Sequence, residues 1–120
     1  MKLNEVATFS DNVAEMTQFY RDLLGEEPTH QDEGVATFEI DGLTVLIHQT
    51  YDPGEGELPC EDHLGFGVSG LEEKVEELVA RGVELVAGPR DYPWGRSAYV
   101  RAPDGQLIEL SDAGDESHGH

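Results

Sequence analysis

The sequence predicts an α+β fold in which two βαβββ modules form curved mixed sheets around a concave cleft. The chain has 120 residues, about the length of one domain. The order strand, helix and three strands occurs twice, about 58 residues apart, although the copies share little identity. We therefore predict a single domain over 1–112, with modules at 1–50 and 63–112, a linker at 51–62 and a polar tail at 113–120.

The first module opens with a strand, predicted over 3–9, and a helix. Asn12 and Glu15 have the spacing of a capping box, and apolar residues three and four positions apart follow them. Gly25 occupies the place of a C′ glycine, which ends a helix. We therefore expect an amphipathic helix between Asn12 and Gly25.

A hairpin completes the first module. Strands are predicted over 35–40 and 43–50, and between them lies the dipeptide Asp41-Gly42. This dipeptide is typical of two-residue turns between antiparallel strands. The linker that follows is rich in glycine and proline, as expected of a connection between modules.

The second module repeats the opening of the first. A strand is predicted over 63–69, and Ser69 and Glu72 have the spacing of a second capping box. Gly82 occupies the position that ends the second helix.

Three further strands are predicted in the second module. A short strand over 84–87 leads into a loop over 88–95 that contains aromatic and proline residues. Strands over 97–101 and 106–110 then flank the turn at 103–105.

Acidic residues dominate the composition. The chain has 26 Asp and Glu residues against 7 Lys and Arg residues, for a formal net charge of −19. Such a charge repels phosphate backbones and anionic lipids, so we expect neither a nucleic-acid nor a membrane partner. The acidic residues are spread along the chain, which favours a halophilic cytoplasm, where salt screens charge. An ordinary acidic mesophilic domain is the alternative.

Cysteine content and hydropathy indicate the compartment. The single cysteine, Cys60, excludes an internal disulfide. No apolar run approaches the roughly 20 residues of a membrane span, and residues 1–4 do not open a signal peptide. We therefore expect a cytoplasmic protein.

Four polar residues interrupt the apolar strands of the two modules: Glu5, His48, His63 and Glu109. They lie in the first and last strands of each module, at places that a pseudo-twofold arrangement brings together. Two imidazoles and two carboxylates suit one divalent metal ion, such as Zn²⁺, Ni²⁺, Mn²⁺, Co²⁺ or Fe²⁺. Taken singly, each residue has a structural alternative. A histidine can hydrogen-bond locally, Glu5 can protect a sheet edge, and Glu109 can pair with Arg96 or Arg101.

Four short segments carry a family resemblance: Phe19-Tyr20-Arg21-Asp22-Leu23-Leu24-Gly25, His63-Leu64-Gly65-Phe66-Gly67-Val68, Trp94-Gly95-Arg96 and Pro103-Asp104-Gly105-Gln106-Leu107-Ile108-Glu109-Leu110. Together they resemble the vicinal-oxygen-chelate superfamily, which includes glyoxalase I, bleomycin-resistance proteins, fosfomycin-resistance transferases, methylmalonyl-CoA epimerase and extradiol dioxygenases. The resemblance covers the whole chain except its tail. It implies paired βαβββ modules, commonly in homodimers whose metal sites draw on two modules.

The resemblance to glyoxalase I goes furthest. His63 and Glu109 match its third and fourth metal ligands in residue type. Glu5 occupies the place of a His or Gln ligand, and His48 occupies the place of a Glu ligand. Fosfomycin-resistance transferases share only the His63 and Glu109 positions and have a His where this chain has Glu5.

This resemblance implies a metal-dependent lyase or isomerase, with a 2-oxoaldehyde–thiol adduct as one candidate substrate. The divalent metal would act as a Lewis acid on a chelated small molecule, and Glu109 or Glu5 would remove a proton next to a carbonyl. The candidates for substrate contacts are Arg90, Trp94, Arg96 and Tyr99. One alternative is a non-catalytic protein that sequesters a ligand, as bleomycin-resistance proteins do. Another is an epimerase or thiol transferase on the same scaffold.

Overall fold

A computed structural model of the protein describes residues 1–52, 58–93 and 95–112. The chain divides into two compact units. The N-terminal unit is Glu5–Asp62, and the C-terminal unit combines Met1–Asn4 with the residues from His63 onward. The first strand therefore contributes residues to both units. The predicted tail at 113–120 lies outside the described residues.

The N-terminal unit contains one helix and one mixed sheet. Its strands have the order β2-β3-β4-β1, in which β1 runs parallel to β4 and the other neighbours are antiparallel. The elements are β1 Lys2–Ser10, α1 Val13–Leu24, β2 His30–Gln31, β3 Val35–Ile40 and β4 Leu43–Gln49. This is the predicted order of strand, helix and three strands.

Local interactions fix both ends of α1 as the sequence predicts. The Asn12 side-chain oxygen accepts a hydrogen bond from the Glu15 backbone N–H at 3.2 Å, and the Asn12 amide donates to the Glu15 carboxylate at 2.6 Å. Gly25 adopts a left-handed conformation and donates its N–H to the Arg21 carbonyl. The apolar face of α1 packs on β3 and β4, in a core that includes Phe38 and Ile47, both fully buried.

The C-terminal unit likewise contains one helix and four strands. Its strands have the order β5-β8-β7-β6, in which β5 and β8 are parallel and the other neighbours are antiparallel. The elements are β5 His63–Val68, α2 Leu71–Ala80, β6 Glu84–Tyr92, β7 Gly95–Arg101 and β8 Leu107–Asp112. The predicted α+β class and the repeated βαβββ order are thus confirmed, as is the mixed character of the sheets.

Helix α2 begins differently from the prediction. Its N-cap is Gly70, in a left-handed conformation with φ 68°, and no side chain caps the helix. The predicted capping box of Ser69 and Glu72 therefore does not form. The left-handed backbone angle favours glycine here, whereas the nearest atom to a Cβ at residue 70 belongs to the flexible Glu73 side chain.

Strand β6 is longer than the predicted strand over 84–87. It continues through most of the predicted loop over 88–95, with register irregularities between Leu85 and Arg90. Gly88 permits this because its φ is 83° and a Cβ there would lie 2.6 Å from the Ser97 carbonyl oxygen. Pattern-based prediction ends a strand at Gly-Pro, whereas the bulged strand continues past it.

None of the helices among the described residues is long and apolar enough to cross a membrane.

Candidate metal site

The candidate site lies on the face of the C-terminal sheet that points away from α2. Ala98 and Leu110 belong to the core beneath α2. Successive side chains of a strand point to opposite faces, so their neighbours Ser97, Tyr99 and Glu109 point to the other face. His63 shares that face, because Gly65 pairs with Glu109 and lies two residues after His63.

Glu109 is a buried carboxylate with both oxygens engaged. Only 6% of the residue is exposed. Its Oε1 lies 3.5 Å from His63 Nε2, and its Oε2 accepts a hydrogen bond of 3.1 Å from the Ser97 hydroxyl. Ser97 is itself fully buried. A carboxylate removed from water is costly unless it is paired, so this arrangement indicates a group selected for its charge.

Aromatic packing fixes the histidine. The His63 ring contacts the Tyr99 ring edge-on, with 6.0 Å between ring centroids. Tyr99 is only 3% exposed and pairs with Glu109 in the register of β7 and β8. Gly65, the partner of Glu109 on β5, places no side chain beside the carboxylate. Tyr99 and Ser97 therefore orient the two ligand-type residues toward each other.

Glu5 completes the group. It follows Asn4 directly on β1, the strand that contributes residues to both units. Glu5, His63 and Glu109 each offer one ligand atom, and these atoms all lie within 4.8 Å of one another. One imidazole nitrogen and two carboxylate oxygens fit a divalent transition-metal ion, and three protein ligands leave coordination positions for water or substrate. Without a cation, two neighbouring carboxylates in a largely buried place repel each other.

His48 is not part of this group. In the register of β1 and β4, Glu5 pairs with Thr44, whereas His48 pairs with Phe9, four residues further along. At about 3.3 Å per residue, His48 lies roughly 13 Å from Glu5 along the sheet. Its ring instead contacts the rings of Phe9 and Tyr51, and its Nδ1 lies 2.7 Å from the Gln49 carbonyl oxygen. The four-residue cluster predicted from the sequence is a three-residue cluster in the structure.

The register explains the difference. In the C-terminal unit, Glu109 pairs with the residue two positions after His63. The corresponding residue in the N-terminal unit is Leu46, which pairs with Ala7, two positions after Glu5. Leu46 also lies four residues after Gly42, as Glu109 lies four residues after Gly105. The predicted placement of His48 in the last strand of its module is correct, but strand register puts it two residues beyond the position equivalent to Glu109.

Arg96, predicted to contact substrate, is engaged elsewhere. It contacts Glu72 at the start of α2 at 2.5 Å and Asp91 of β6 at 3.1 Å. The hydrogen bond from Arg96 holds the pKa of the Glu72 carboxyl below its usual value, and the same contacts raise the pKa of Arg96. Arg96 therefore joins α2 to β6. Trp94, another predicted contact, lies outside the described residues.

Arg90 and Tyr99 remain candidates for substrate contacts, and the structure adds Tyr92. The Arg90 guanidinium lies 5.8 Å from the centre of the Tyr92 ring, and Tyr92 packs edge-on against Tyr99. Burial raises the pKa of Tyr92, Arg90 opposes this rise, and the charge of Glu109 adds to it. The sequence signal that could identify Tyr92 is its spacing of two from Arg90, which places both side chains on one strand face.

Comparison with known proteins identifies the family. A sequence profile of the glyoxalase/bleomycin resistance protein/dioxygenase superfamily matches residues 2–110. The metallothiol transferase FosB of Staphylococcus haemolyticus is 26% identical over 112 residues, which cover 90% of this chain and 81% of that protein.

Solved structures show the same fold. A methylmalonyl-CoA epimerase of Streptomyces coelicolor, in complex with 2-nitronate-propionyl-CoA, has a TM-score of 0.65 at 21% identity, covering 93% of this chain and 96% of that one. A superfamily member from Vibrio splendidus 12B01 has a TM-score of 0.63 at 20% identity, covering 89% and 95%. With the profile match over nearly its whole length, the chain belongs to the glyoxalase/bleomycin resistance protein/dioxygenase superfamily.

Proposed function

We propose that this protein is a metal-dependent enzyme that acts on a small molecule through oxygen atoms bound at the Glu5, His63 and Glu109 site. The observation that carries the proposal is the convergence of these three ligand atoms within 4.8 Å. A bound divalent ion supplies Lewis-acid polarisation of substrate oxygens. Membership of the superfamily supports this function, because the resemblance to glyoxalase I implies that His63 and Glu109 occupy the places of metal ligands.

The surrounding residues prepare the site. The Ser97 hydroxyl holds Glu109 Oε2, so that Oε1 faces His63. Tyr99 fixes the orientation of the His63 ring. Such supporting contacts commonly change metal affinity 10- to 100-fold when they are removed, roughly the effect we assign to Ser97.

The reaction that we favour is transfer of a thiol to the bound substrate, in which a carbon–sulfur bond forms as a carbon–oxygen bond breaks and the freed oxygen takes up the proton that the thiol loses. Both oxygens of Glu109 are engaged by His63 and Ser97, which disfavours Glu109 as a general base. Thiol transfer does not require a carboxylate base, since a thiol ionises readily near neutral pH when a cation is close. The similarity to metallothiol transferase FosB supports the same choice.

Proton abstraction of the glyoxalase type is the second candidate. It is favoured by the second carboxylate of the cluster, Glu5, which is only partly buried, whereas Glu109 is buried. A carboxylate with some access to solvent can pass an abstracted proton on to water. In this reaction Glu5 would remove the proton next to a carbonyl, and Glu109 would remain a ligand.

One pair of assays separates these reactions. The protein loaded with Mn²⁺, Ni²⁺ or Zn²⁺ is incubated either with fosfomycin and cysteine or with the adduct of methylglyoxal and glutathione. We expect loss of free thiol in the first assay and no isomerisation in the second. Glu5→Gln should abolish isomerisation if the second candidate is correct. Turnover in neither assay with fully metal-loaded protein would contradict both reactions.

The state of assembly and the compartment belong to the same proposal. We propose a homodimer in a salt-rich cytoplasm, on the strength of the superfamily's common assembly and the net charge of −19. Sedimentation in molar KCl should give a species of twice 13.2 kDa. A monomer under these conditions would exclude the dimer.

A further inference from the structure

We propose that Asp62 is a positioning residue of the candidate metal site, because its carboxylate fixes the residue before His63 against the strand that carries Glu5. This inference rests on the proposed function, since it concerns how two of the three ligands of that site are held in place. It assigns Asp62 no role as a ligand.

The contacts of Asp62 join two distant parts of the chain. Its Oδ1 accepts a hydrogen bond of 2.8 Å from the Phe9 backbone N–H, and its Oδ2 accepts one of 3.2 Å from the Thr8 hydroxyl. These partners precede Asp62 by 53 and 54 residues. A side chain thus takes the place of a backbone carbonyl as the partner of a strand N–H. Because successive residues of β1 engage both oxygens, the carboxylate is fixed in position and in orientation.

Asp62 stands at the junction of the two units. It is the last residue of the N-terminal unit, and the next residue, His63, begins β5 of the C-terminal unit. Consecutive Cα atoms lie only about 3.8 Å apart, so a carboxylate held against β1 also restricts where the His63 backbone begins. The contacts of His63 with Glu109 and Tyr99 lie within the C-terminal unit, whereas Glu5 belongs to the N-terminal unit. Asp62 therefore supplies a constraint between His63 and Glu5 that those contacts do not supply.

Strand β1 transmits this constraint to Glu5. Phe9 lies four residues after Glu5, and β1 is paired with β4 at every residue from Glu5 to Ser10. A strand that is paired along this whole length shifts as one piece, so a displacement of Phe9 also displaces Glu5. Metal–ligand distances tolerate an error of only about 0.2 Å. Loss of the carboxylate at residue 62 should therefore weaken metal binding, although no ligand is removed.

The segment that precedes β5 is held at the same place by other contacts. The Tyr51 hydroxyl donates to the Leu58 carbonyl at 3.2 Å, and the Tyr51 N–H donates to Cys60 Sγ at 3.2 Å. The Tyr51 ring packs edge-on against the Phe9 ring, with 5.9 Å between ring centroids. The carboxylate contacts are therefore part of a larger attachment of residues 58–62 to the end of β1.

The test measures the Mn²⁺ affinity of the full chain by competition with a fluorescent chelator. Asp62→Ala removes both hydrogen bonds and should weaken binding by roughly 10-fold, the lower end of the range for residues that support metal ligands. Asp62→Asn keeps an oxygen for the Phe9 N–H, and its amide can donate to the Thr8 hydroxyl oxygen. Its affinity should stay within about threefold of the wild type. This rescue distinguishes positioning from the loss of a negative charge near the ion.

Two further variants act as controls. Asp32 is also an exposed carboxylate of the N-terminal unit, and its Oδ1 accepts hydrogen bonds of 2.9 Å from the Gly34 and Val35 N–H groups. Asp32→Ala should lower the Tm as Asp62→Ala does, yet leave Mn²⁺ affinity within about twofold. Thr8→Val removes one of the two contacts of Asp62 and should weaken Mn²⁺ binding by about threefold.

A double substitution separates the positioning of Glu5 from a general loss of structure. Glu5→Gln should weaken Mn²⁺ binding in the wild type, because an amide oxygen is a poorer ligand than a carboxylate oxygen. In Asp62→Ala the same substitution should cost at least about threefold less, because Glu5 is already displaced from the ion. In Asp32→Ala it should cost as much as in the wild type, as expected of independent sites.

The outcomes distinguish this inference from the proposed function. A wild type that takes up no Mn²⁺ overturns both. With a wild type that binds Mn²⁺, equal losses in Asp62→Ala and Asp62→Asn, or in Asp62→Ala and Asp32→Ala, overturn the positioning role and leave the proposed function intact. Wild-type affinity in Asp62→Ala, or independent effects of Asp62→Ala and Glu5→Gln, has the same consequence. If Asp62→Ala does not fold, wild-type affinity in Thr8→Val overturns the positioning role instead.

Discussion

The two units contain the same order of elements, yet the sheet faces opposite their helices differ in chemistry. In the C-terminal unit this face carries Glu109 and Ser97, both buried and hydrogen-bonded to each other. In the N-terminal unit the place equivalent to Glu109 is occupied by Leu46. The repeat is therefore structural, and two of the three candidate metal ligands lie in the C-terminal copy. Glu5, at the place equivalent to His63, is the contribution of the other copy.

The two units also differ in how their helices begin. Helix α1 begins with a side-chain cap from Asn12, whereas α2 begins at a left-handed glycine without one. In the C-terminal unit the first turn is held instead by Arg96, which pairs with Glu72. The first turn of α1 is thus held by a side-chain cap, and the first turn of α2 by an ion pair.

The largest expected effect is on metal affinity. It follows from a substitution that gives the C-terminal sheet face the residue found at the equivalent place of the N-terminal sheet face. Glu109→Leu reproduces the residue at position 46 and should reduce affinity for Mn²⁺ or Zn²⁺ more than about 100-fold, because it removes a charged ligand. The apo-protein should also lose stability, because the buried Ser97 hydroxyl and His63 both lose Glu109 as their partner. Metal analysis after dialysis and a thermal melt measure the two effects. Retention of one metal per chain would exclude Glu109 as a ligand.

A smaller effect is expected at Ser97. Ser97→Ala removes the hydrogen bond to Glu109 Oε2 and should weaken metal binding by about 10-fold, the lower end of the range for supporting contacts. Thr17→Val is the matched control, because it removes an equally buried hydroxyl that donates to the Val13 carbonyl within α1. Competition with a fluorescent chelator measures both. Equal affinities in Ser97→Ala and wild type would show that the carboxylate needs no such support.

The pairing of Arg96 with Glu72 gives a pH-dependent effect. The pKa of Glu72 is lowered in the folded protein, so the pair stabilises the fold above the ordinary pKa of 4.5, and this stabilisation is lost as pH falls through the lowered value. Arg96→Ala should therefore have a lower Tm than wild type at pH 7, with the difference shrinking below about pH 4.5. Molar KCl should also reduce this difference in Tm, because salt screens the attraction between Arg96 and Glu72. A difference independent of pH would point to packing instead.

The smallest effect is expected at His48. His48→Ala should leave metal affinity within about twofold of the wild type, because strand register places His48 roughly 13 Å from Glu5. A loss comparable to that of Glu109→Leu would restore the four-ligand site and overturn the register argument.

Local signals in the sequence predict most of the fold. The cap at Asn12, the left-handed Gly25 and the turn at Asp41-Gly42 depend on neighbouring residues, and all three are found as predicted. The course of β6 could not be predicted, because the close approach of Gly88 to Ser97 involves a residue nine positions away. The start of α2 shows the limit of motifs, since Ser69 has the right spacing but not the backbone conformation.

The structure brings together three of the four residues that the sequence predicts for the candidate site, and the error at the fourth also comes from contacts between distant residues. Glu5, His63 and Glu109 stand out in the sequence as polar residues within apolar strands, and alternation along a strand determines which face each side chain occupies. Register between strands depends on pairing that alternation cannot reveal, and His48 was misplaced for that reason. Tyr92 lies within a segment predicted to be a loop, where strand alternation assigns no face.

The central claim is tested most directly by metal content in two histidine variants. His63→Ala removes the only nitrogen donor of the cluster, whereas His30→Ala removes an exposed histidine that pairs with Asp32. After reconstitution with Mn²⁺, Zn²⁺, Ni²⁺ or Co²⁺ and dialysis, the account predicts one metal per chain in the wild type and His30→Ala, and almost none in His63→Ala. Equal metal content in the two variants, or none in the wild type, would contradict it.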